Sequence, residues 1–222
     1  AAIRAFILEP GLGTEGKLKT ARKGVGRFRI LIHGEAAHSG LDPTNGASAI
    51  QELANVVHQL HGLTDLERGI TVNVGVVQGG TRVNVKAAEA EAEVDVRVAS
   101  MDDGEAVTRA IRGLTARTPG TSLEVLGGIQ APPLERTPRN RRLWEAARAA
   151  GHRLGIELEE GTSGGASDGN TTSQYAATLD GLGSLGDGAH ALHEHVVAKA
   201  LPSRAALLAE LLLSPVSSGD EW

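Results

Sequence analysis

The sequence predicts an α+β two-layer sandwich of the ferredoxin-like kind, ordered β-α-β-β-α-β from residue 22 to about residue 128. Three observations predict it. Val83 to Ala99 alternates, with Ala90, Ala92, Val94, Val96 and Val98 on one face and Glu89, Glu91, Glu93, Asp95 and Arg97 on the other. That is the pattern of a strand whose sheet has one wet face. A segment before it and a segment after it carry apolar residues at helical spacing, which suits two helices on the dry face. Outside this region the rhythm changes to short apolar runs separated by Gly-rich loops, and Pro132-Pro133 marks a boundary.

The elements follow in order. Residues 3–8 form a short apolar strand that stops at Glu9-Pro10-Gly11 and delivers a carboxylate to its end. Residues 11–26, rich in Gly and Lys, read as a connector. Arg27 to His33 is a strand with Phe28, Ile30 and Ile32 on one face. Gly34 to Asn45 is a loop, and Ile50, Leu53, Ala54, Val57 and Leu60 define the first helix. Residues 70–77 alternate up to a turn at Gln78-Gly79-Gly80. Ser100 and Asp103 suggest a capping box for the second helix, which carries Val107, Ala110, Ile111 and Leu114. Leu123 and Val125 mark the fourth sandwich strand. Thr137-Pro138 opens a helix through Leu143, Ala146, Ala147, Ala150 and Leu154, and Ile156 with Leu158 suggests a short strand. Two Gly-rich loops, 161–174 and 179–190, precede a closing helix from about Pro202, and the tail after Ser214 is expected to be loose.

Composition narrows the function classes. The 222 residues are 41% hydrophobic and 22% charged, a globular balance. The net charge of −5 argues against nucleic-acid and anionic-membrane partners, which want a basic face. The aromatic residues are Phe6, Phe28, Trp144, Tyr175 and Trp222, too few for base-stacking platforms. With no Cys, any metal must be held by His, Asp and Glu. No apolar run reaches the roughly 18 residues of a membrane span, and no signal segment opens the chain. Met101 is the only Met, so the chain starts without an initiator and inside an apolar strand; it reads as a fragment of a longer protein.

Polar residues of interest gather at the Gly-rich loops, where close backbone approach is allowed. Glu9 ends its strand either as a turn residue or as a hard oxygen ligand for an ion such as zinc. His190, His193 and His195 invite a metal reading, but their spacing is not the i, i+4 pair of a helical zinc site. His38 is a loop imidazole, either surface decoration or a catalyst. Arg97 is either half of a cross-strand ion pair or a fork for a substrate carboxylate. Asp168 has a plain turn reading. With no Gly-Lys-Ser/Thr element and no Gly-x-Gly-x-x-Gly turn, nucleotide binding is set aside.

Taken as an ordered set, these stretches resemble the glutamate carboxypeptidase branch of the di-zinc metallopeptidases, relatives of acetylornithine deacetylase and succinyl-diaminopimelate desuccinylase. The matching stretches begin with Leu8-Glu9-Pro10, Thr20-Ala21-Arg22-Lys23-Gly24 and Gly34-Glu35-Ala36-Ala37-His38-Ser39-Gly40. Next come Gly79-Gly80-Thr81-Arg82-Val83-Asn84-Val85 and Asp95-Val96-Arg97. Gly164-Gly165-Ala166-Ser167-Asp168-Gly169 and the run from Asp180-Gly181-Leu182 to Gly188-Ala189-His190 complete the set.

The resemblance implies an α/β catalytic domain, incomplete here, into which the sandwich is inserted as a dimerisation domain. Residues 1–21 and 131–222 would be catalytic and 22–130 would build a homodimer. It implies two zinc ions, with Glu9 a ligand of one and His190 a ligand of the other. His38 would reach across the dimer to polarise the scissile carbonyl, and Asn84 and Arg97 would hold the substrate's carboxylate. His193 and His195 have no role in the family pattern, and Asp187 stands where relatives more often have Gly. The family site also needs a His, a bridging Asp and a Glu-Glu pair that precede the position of Glu9. The chain is therefore expected to be the C-terminal portion of a cytoplasmic or exported zinc exopeptidase or amidase, to bind zinc poorly alone and to be inactive by itself. The substrate would be a small peptide or N-acyl amino acid. The alternative is a non-catalytic dimerisation or small-molecule-binding module.

Overall fold

The computed structural model describes residues 3–214; the tail after Ser214 lies outside the described residues. The chain divides into two units, Ala1–Lys23 with Pro132–Trp222, and Gly24–Ala131. Strands β1 (Arg4–Phe6) and β2 (Leu18–Arg22) open the first unit. The second then runs β3 (Gly24–His33), α1 (Ala49–His61), β4 (Thr71–Gly79), β5 (Glu89–Val98), α2 (Met101–Arg112) and β6 (Ser122–Ala131). The chain returns to the first unit with α3 (Pro138–Arg153), β7 (Glu160–Ser163), α4 (Asp168–Thr172) and β8 (Ala177–Leu179). It ends with β9 (Gly186–Asp187), β10 (His195–Val196) and α5 (Leu201–Leu213).

In the unit of residues 24–131 the four strands form one antiparallel sheet in the order β4-β5-β3-β6. The register puts Phe28 opposite Val94, Ile30 opposite Ala92 and Ile32 opposite Ala90. These residues share one core with Leu53, Val56 and Leu60 of α1 and Val107 and Ile111 of α2. Both helices therefore cover the same face of the sheet. Each fully buried Val, Ile or Leu here contributes about 1.5–3 kcal/mol relative to exposure. Ser48 and Ser100 cap α1 and α2 by accepting the N–H groups of Gln51 and Asp103. At α2 the Asp103 carboxylate accepts the Ser100 hydroxyl, so the predicted box closes between side chains.

Glu52 is the one fully enclosed carboxylate of this unit, and its oxygens accept the backbone N–H groups of Arg117 and Thr118 at 3.1 and 2.6 Å. It ties the stretch after α2 to α1. Gly127 has φ +96°, and a Cβ there would lie 2.2 Å from the Arg27 carbonyl, so only glycine lets β6 approach β3 at this point. The strand predicted from Val83 starts later, at Glu89. Residues 84–88 instead pair irregularly with the loop after β3, through bonds such as Gly34 N–H to Ala88 and Lys86 N–H to Ala37.

The other unit is built from parallel pairs: β1 with β8, and β2 with β7. A bridge between Lys19 and Asp180 links the two. Helices α3 and α5 supply Leu143, Trp144, Ala147, Ala150, Leu207 and Leu211 to a core that includes Leu18, Ala177 and Leu179. Thr137 caps α3 and Pro138 occupies its first turn, as the sequence predicts. Three expectations are corrected. Residues 18–22 are a buried strand, not connector; the strand expected at Ile156 and Leu158 forms at 160–163; and Ala177–Leu179 is strand where loop begins in the sequence reading. Each hidden strand is three to five residues long, too short for periodicity to show. Among the described residues no helix is long and apolar enough to cross a membrane.

Candidate active site

Glu9 follows β1, and its position is set by backbone contacts. Ile7 N–H donates to Leu179, Leu182 N–H donates to Ile7, and Gly183 N–H donates to the Glu9 carbonyl at 2.9 Å. A Cβ on Gly183 would sit 2.1 Å from the Leu8 carbonyl, so the approach of these two segments requires glycine. Because β1 and β8 are parallel, Glu9 and the segment that begins at Asp180 leave the same carboxyl end of the pair. In α/β layers that end is where ligands bind.

A buried ionic cluster supports this end. Arg22 donates to Asp180 in a fork, Nε to Oδ2 at 2.8 Å and an Nη to Oδ1 at 3.1 Å, with both residues shielded from water. The second arm of Arg22 donates to the Gly165 carbonyl at 2.8 Å. Asp180 also accepts from the Ser167 hydroxyl at 2.5 Å and from the Gly181 N–H. The Glu9 carboxylate stands 3.9 Å from Arg22 and is half exposed, so it feels the positive charge without being tied up by it. Lys19 is buried beside them; desolvation first, and then the Arg22 charge, lower its pKa, while Asp180 and Glu9 oppose the shift. Arg204, buried on α5, donates to the carbonyls of Gly16, Gly181 and Gly183 and so fixes the loop under Glu9; burial lowers its pKa.

Past Ser184 the chain makes the β9–β10 hairpin, with His195 opposite Asp187. His190, at its tip, has φ +64°, and it is the non-glycine residue with positive φ among those described. Such a conformation disfavours an L side chain and persists where surroundings impose it, often at functional sites. Its N–H donates to Glu194 at 3.4 Å, and its ring makes no hydrogen bond among the described residues. His195 Nδ1 lies 3.2 Å from the His193 carbonyl, and the His193 ring packs on Gly188. Among the described residues no group of three or more His, Asp or Glu side chains is disposed to hold a metal. Glu9 and His190 are the right donor types for zinc, but a hydrolytic zinc needs about three protein ligands and an open position. The donors present fit in kind and fall short in number.

In the unit of residues 24–131, His38 and Asn84 come together. His38 pairs with Val85, Ser39 N–H donates to the Asn84 carbonyl, and Asn84 Nδ2 lies 3.3 Å from His38 Nε2. Arg97 sits elsewhere. It lies near the opposite end of β5 from Glu89, eight residues away and roughly 25 Å along an extended strand. Residues 84–88 continue outward beyond the Glu89 end, so Asn84 and Arg97 of one chain do not share one carboxylate. Arg97 is engaged with Asp95 on its own strand, Nε to Oδ1 at 2.8 Å and an Nη to Oδ2 at 2.9 Å, not across strands.

Lys19, Arg22, Asp180 and Arg204 were not singled out from the sequence. Arg22 and Asp180 lie within Thr20 to Gly24 and Asp180 to Leu182, stretches that carry the family resemblance, and that placement is the signal in the sequence.

The chain thus combines a mixed α/β unit carrying a carboxylate at its parallel-strand ends with a second unit, an antiparallel sheet covered by two helices. Residues 20–120 match the peptidase dimerisation domain family. Carboxypeptidase G2 from Pseudomonas is 27% identical over 227 aligned positions, covering 96% of this chain and 53% of that protein. A peptidase M20 domain-containing protein from Schizosaccharomyces pombe is 44% identical over 94 positions, 40% of this chain and 23% of that protein. Among solved structures, the aminopeptidase PepT of Bacillus cereus superposes with a TM-score of 0.80 at 22% identity, covering 95% of this chain and 56% of that one. A dinuclear metal-binding peptidase of the M20 family from Bacillus subtilis gives 0.67 at 21% identity, again covering 95% and 56%. The chain is thus similar to M20 peptidases along most of its length, and residues 20–120 match the peptidase dimerisation domain. It spans about half the length of carboxypeptidase G2 and of these solved structures.

Proposed function

We propose that the chain is the C-terminal portion of a zinc-dependent exopeptidase or amidase that cleaves an amide next to a free carboxylate, in an N-acyl amino acid or a short peptide. Residues 1–21 and 131–222 serve the catalytic domain, and 22–130 form a ferredoxin-like dimerisation domain in a cytoplasmic homodimer. Glu9 binds one zinc and His190 the other; zinc, when bound, supplies an activated water. His38 of the partner subunit donates to the oxygen that becomes negative. Asn84 acts beside His38, and Arg97, from the other subunit, forks onto the carboxylate.

The observation that carries this reading is that Glu9 and the segment leading to His190 leave the same carboxyl end of a parallel strand pair, with His190 in a left-handed conformation. The homodimer is supported by β4, an edge strand without a charged residue that is exposed beyond Val74, with Val76 and Val77 about half exposed. A Val76→Lys, Val77→Lys variant should sediment as monomer where the parent chain sediments as dimer. The catalytic half is tested by zinc-dependent hydrolysis of N-acylglutamate. The isolated chain should show none, and hydrolysis by it would overturn the incomplete-site reading. The self-contained core of residues 24–131 favours a second reading, a non-catalytic dimerisation module. Dimerisation of a longer polypeptide that binds no zinc would select it.

A further inference from the structure

We infer that the backbone amides of Gly40 and Leu41 fix the His38 imidazole as its Nε2–H tautomer, a hydrogen-bond donor whose proton rests on Asn84 Oδ1 and turns to a ligand oxygen when one replaces that contact. The inference deepens the function proposed above and rests on it only for what the ligand is.

A neutral imidazole has one nitrogen that donates and one that accepts. His38 Nδ1 receives the Gly40 N–H at 3.2 Å and the Leu41 N–H at 3.0 Å. A backbone amide nitrogen can only donate, so Nδ1 must use its lone pair and the ring proton belongs on Nε2. The turn that aims these amides is closed by a third, Asp42 N–H, which donates to the His38 carbonyl at 2.9 Å. Three successive amides after Ser39 thus point back at residue 38. A Cβ at Gly40 would lie 3.7 and 3.8 Å from ring atoms, an ordinary contact, so the lock depends on N–H direction and not on glycine.

The tautomer then dictates the Asn84 amide. Its nitrogen lies 3.3 Å from His38 Nε2, and two donors facing one another make no bond. The oxygen and nitrogen of an amide exchange places by a flip that leaves its outline unchanged. With Nε2 carrying the proton, the contact is a hydrogen bond when Asn84 Oδ1 faces the ring. The Asn84 NH2 group is then left to a second ligand oxygen. The backbone holds both partners: Ser39 N–H donates to the Asn84 carbonyl at 3.0 Å, and Lys86 N–H donates to the Ala37 carbonyl at 2.9 Å. In this form His38 cannot take a proton at Nε2. It can stabilise a carbonyl oxygen or carboxylate that takes the place of Asn84 Oδ1 as its acceptor, and it is a donor, not a general base.

The test is nitrogen-15 NMR of the whole chain at about pH 8.5, above the ordinary imidazole range. His38 is assigned by loss of its signals in His38→Gln. The expected result is an acceptor-type Nδ1, a protonated Nε2, and a scalar coupling across the N–H···N bond from the Leu41 amide to Nδ1. In Asn84→Ala the tautomer and coupling should persist, since the turn and not Asn84 sets them. In Leu41→Pro that coupling should vanish while Nε2 stays protonated through Gly40. A protonated Nδ1, absence of the coupling in the parent chain, or a tautomer that switches in Asn84→Ala would overturn the inference. Failure of the functional reading is a separate result: locked spectra together with undiminished hydrolysis by a His38→Gln enzyme would leave the tautomer standing and remove the catalytic role.

Discussion

Residues 24–131 enclose an apolar core whose buried charges are two carboxylates, Glu52 and Asp103, each at the junction of a helix with a neighbouring segment. The other unit has an apolar core too, but Lys19, Arg22, Asp180 and Arg204 are buried alongside it. In the first unit the chain decides where to go by which faces exclude water. In the second, three Gly-rich segments are positioned by guanidinium groups that reach across them. An apolar core tolerates loss of one contact, at the cost of a cavity. A buried ionic hub does not, because removing one member strands the others without water.

The largest expected effect tests that difference. Asp180→Asn should destabilise the protein by about 3–5 kcal/mol in denaturant unfolding, since Arg22 loses a carboxylate while remaining buried. A double replacement, Asp180→Leu with Arg22→Met, should recover most of that loss. If the double variant is worse than either single one, the hub is held by something other than charge pairing. Ile30→Ala, in the apolar unit, should cost about 2–5 kcal/mol, with no partner substitution that restores it by removing charge.

Glu52→Gln should cost about 1–3 kcal/mol, because an amide cannot accept with both ends from Arg117 and Thr118. The same carboxylate gives a pH signature. Burial pushes its pKa up, but hydrogen bonds from Thr118, Arg117 and Asn55 outweigh burial and hold it below the ordinary carboxylate range. Its stabilisation is therefore fully present above the unfolded carboxylate pKa and is lost as pH falls through the folded value. In acid titrations of stability the parent protein should lose more than Glu52→Gln does. Equal losses would assign the acid sensitivity to other groups, such as Glu160, whose pKa Arg136 lowers.

The contrast also explains what was legible in the sequence. The sandwich was readable because Ala90 to Val98 and Phe28 to Ile32 carry their burial in a two-residue period, and Ser100 announces the start of α2 with a side chain that acts locally, as Thr137 does for α3 in the other unit. Strand 18–22 was not, because Lys19, Thr20 and Arg22 are buried by partners far away in sequence: Asp180 for Arg22, Glu160 for Thr20. Nothing in a polar pentapeptide reveals that its charges will be paired inside. Candidate site residues were readable as motifs in order, while their geometry was not. The family resemblance pairs Asn84 with Arg97 at one carboxylate, and the length of β5 between Glu89 and Val98 keeps the two apart within one chain.

The proposed assignment of Glu9 and His190 is tested most directly by metal content. The longer polypeptide that the proposed function requires, purified with zinc and dialysed, should hold two zinc ions per subunit. Glu9→Gln and His190→Ala should each hold fewer and lose hydrolysis of N-acylglutamate. Two zinc ions retained in both variants, with hydrolysis intact, would contradict it.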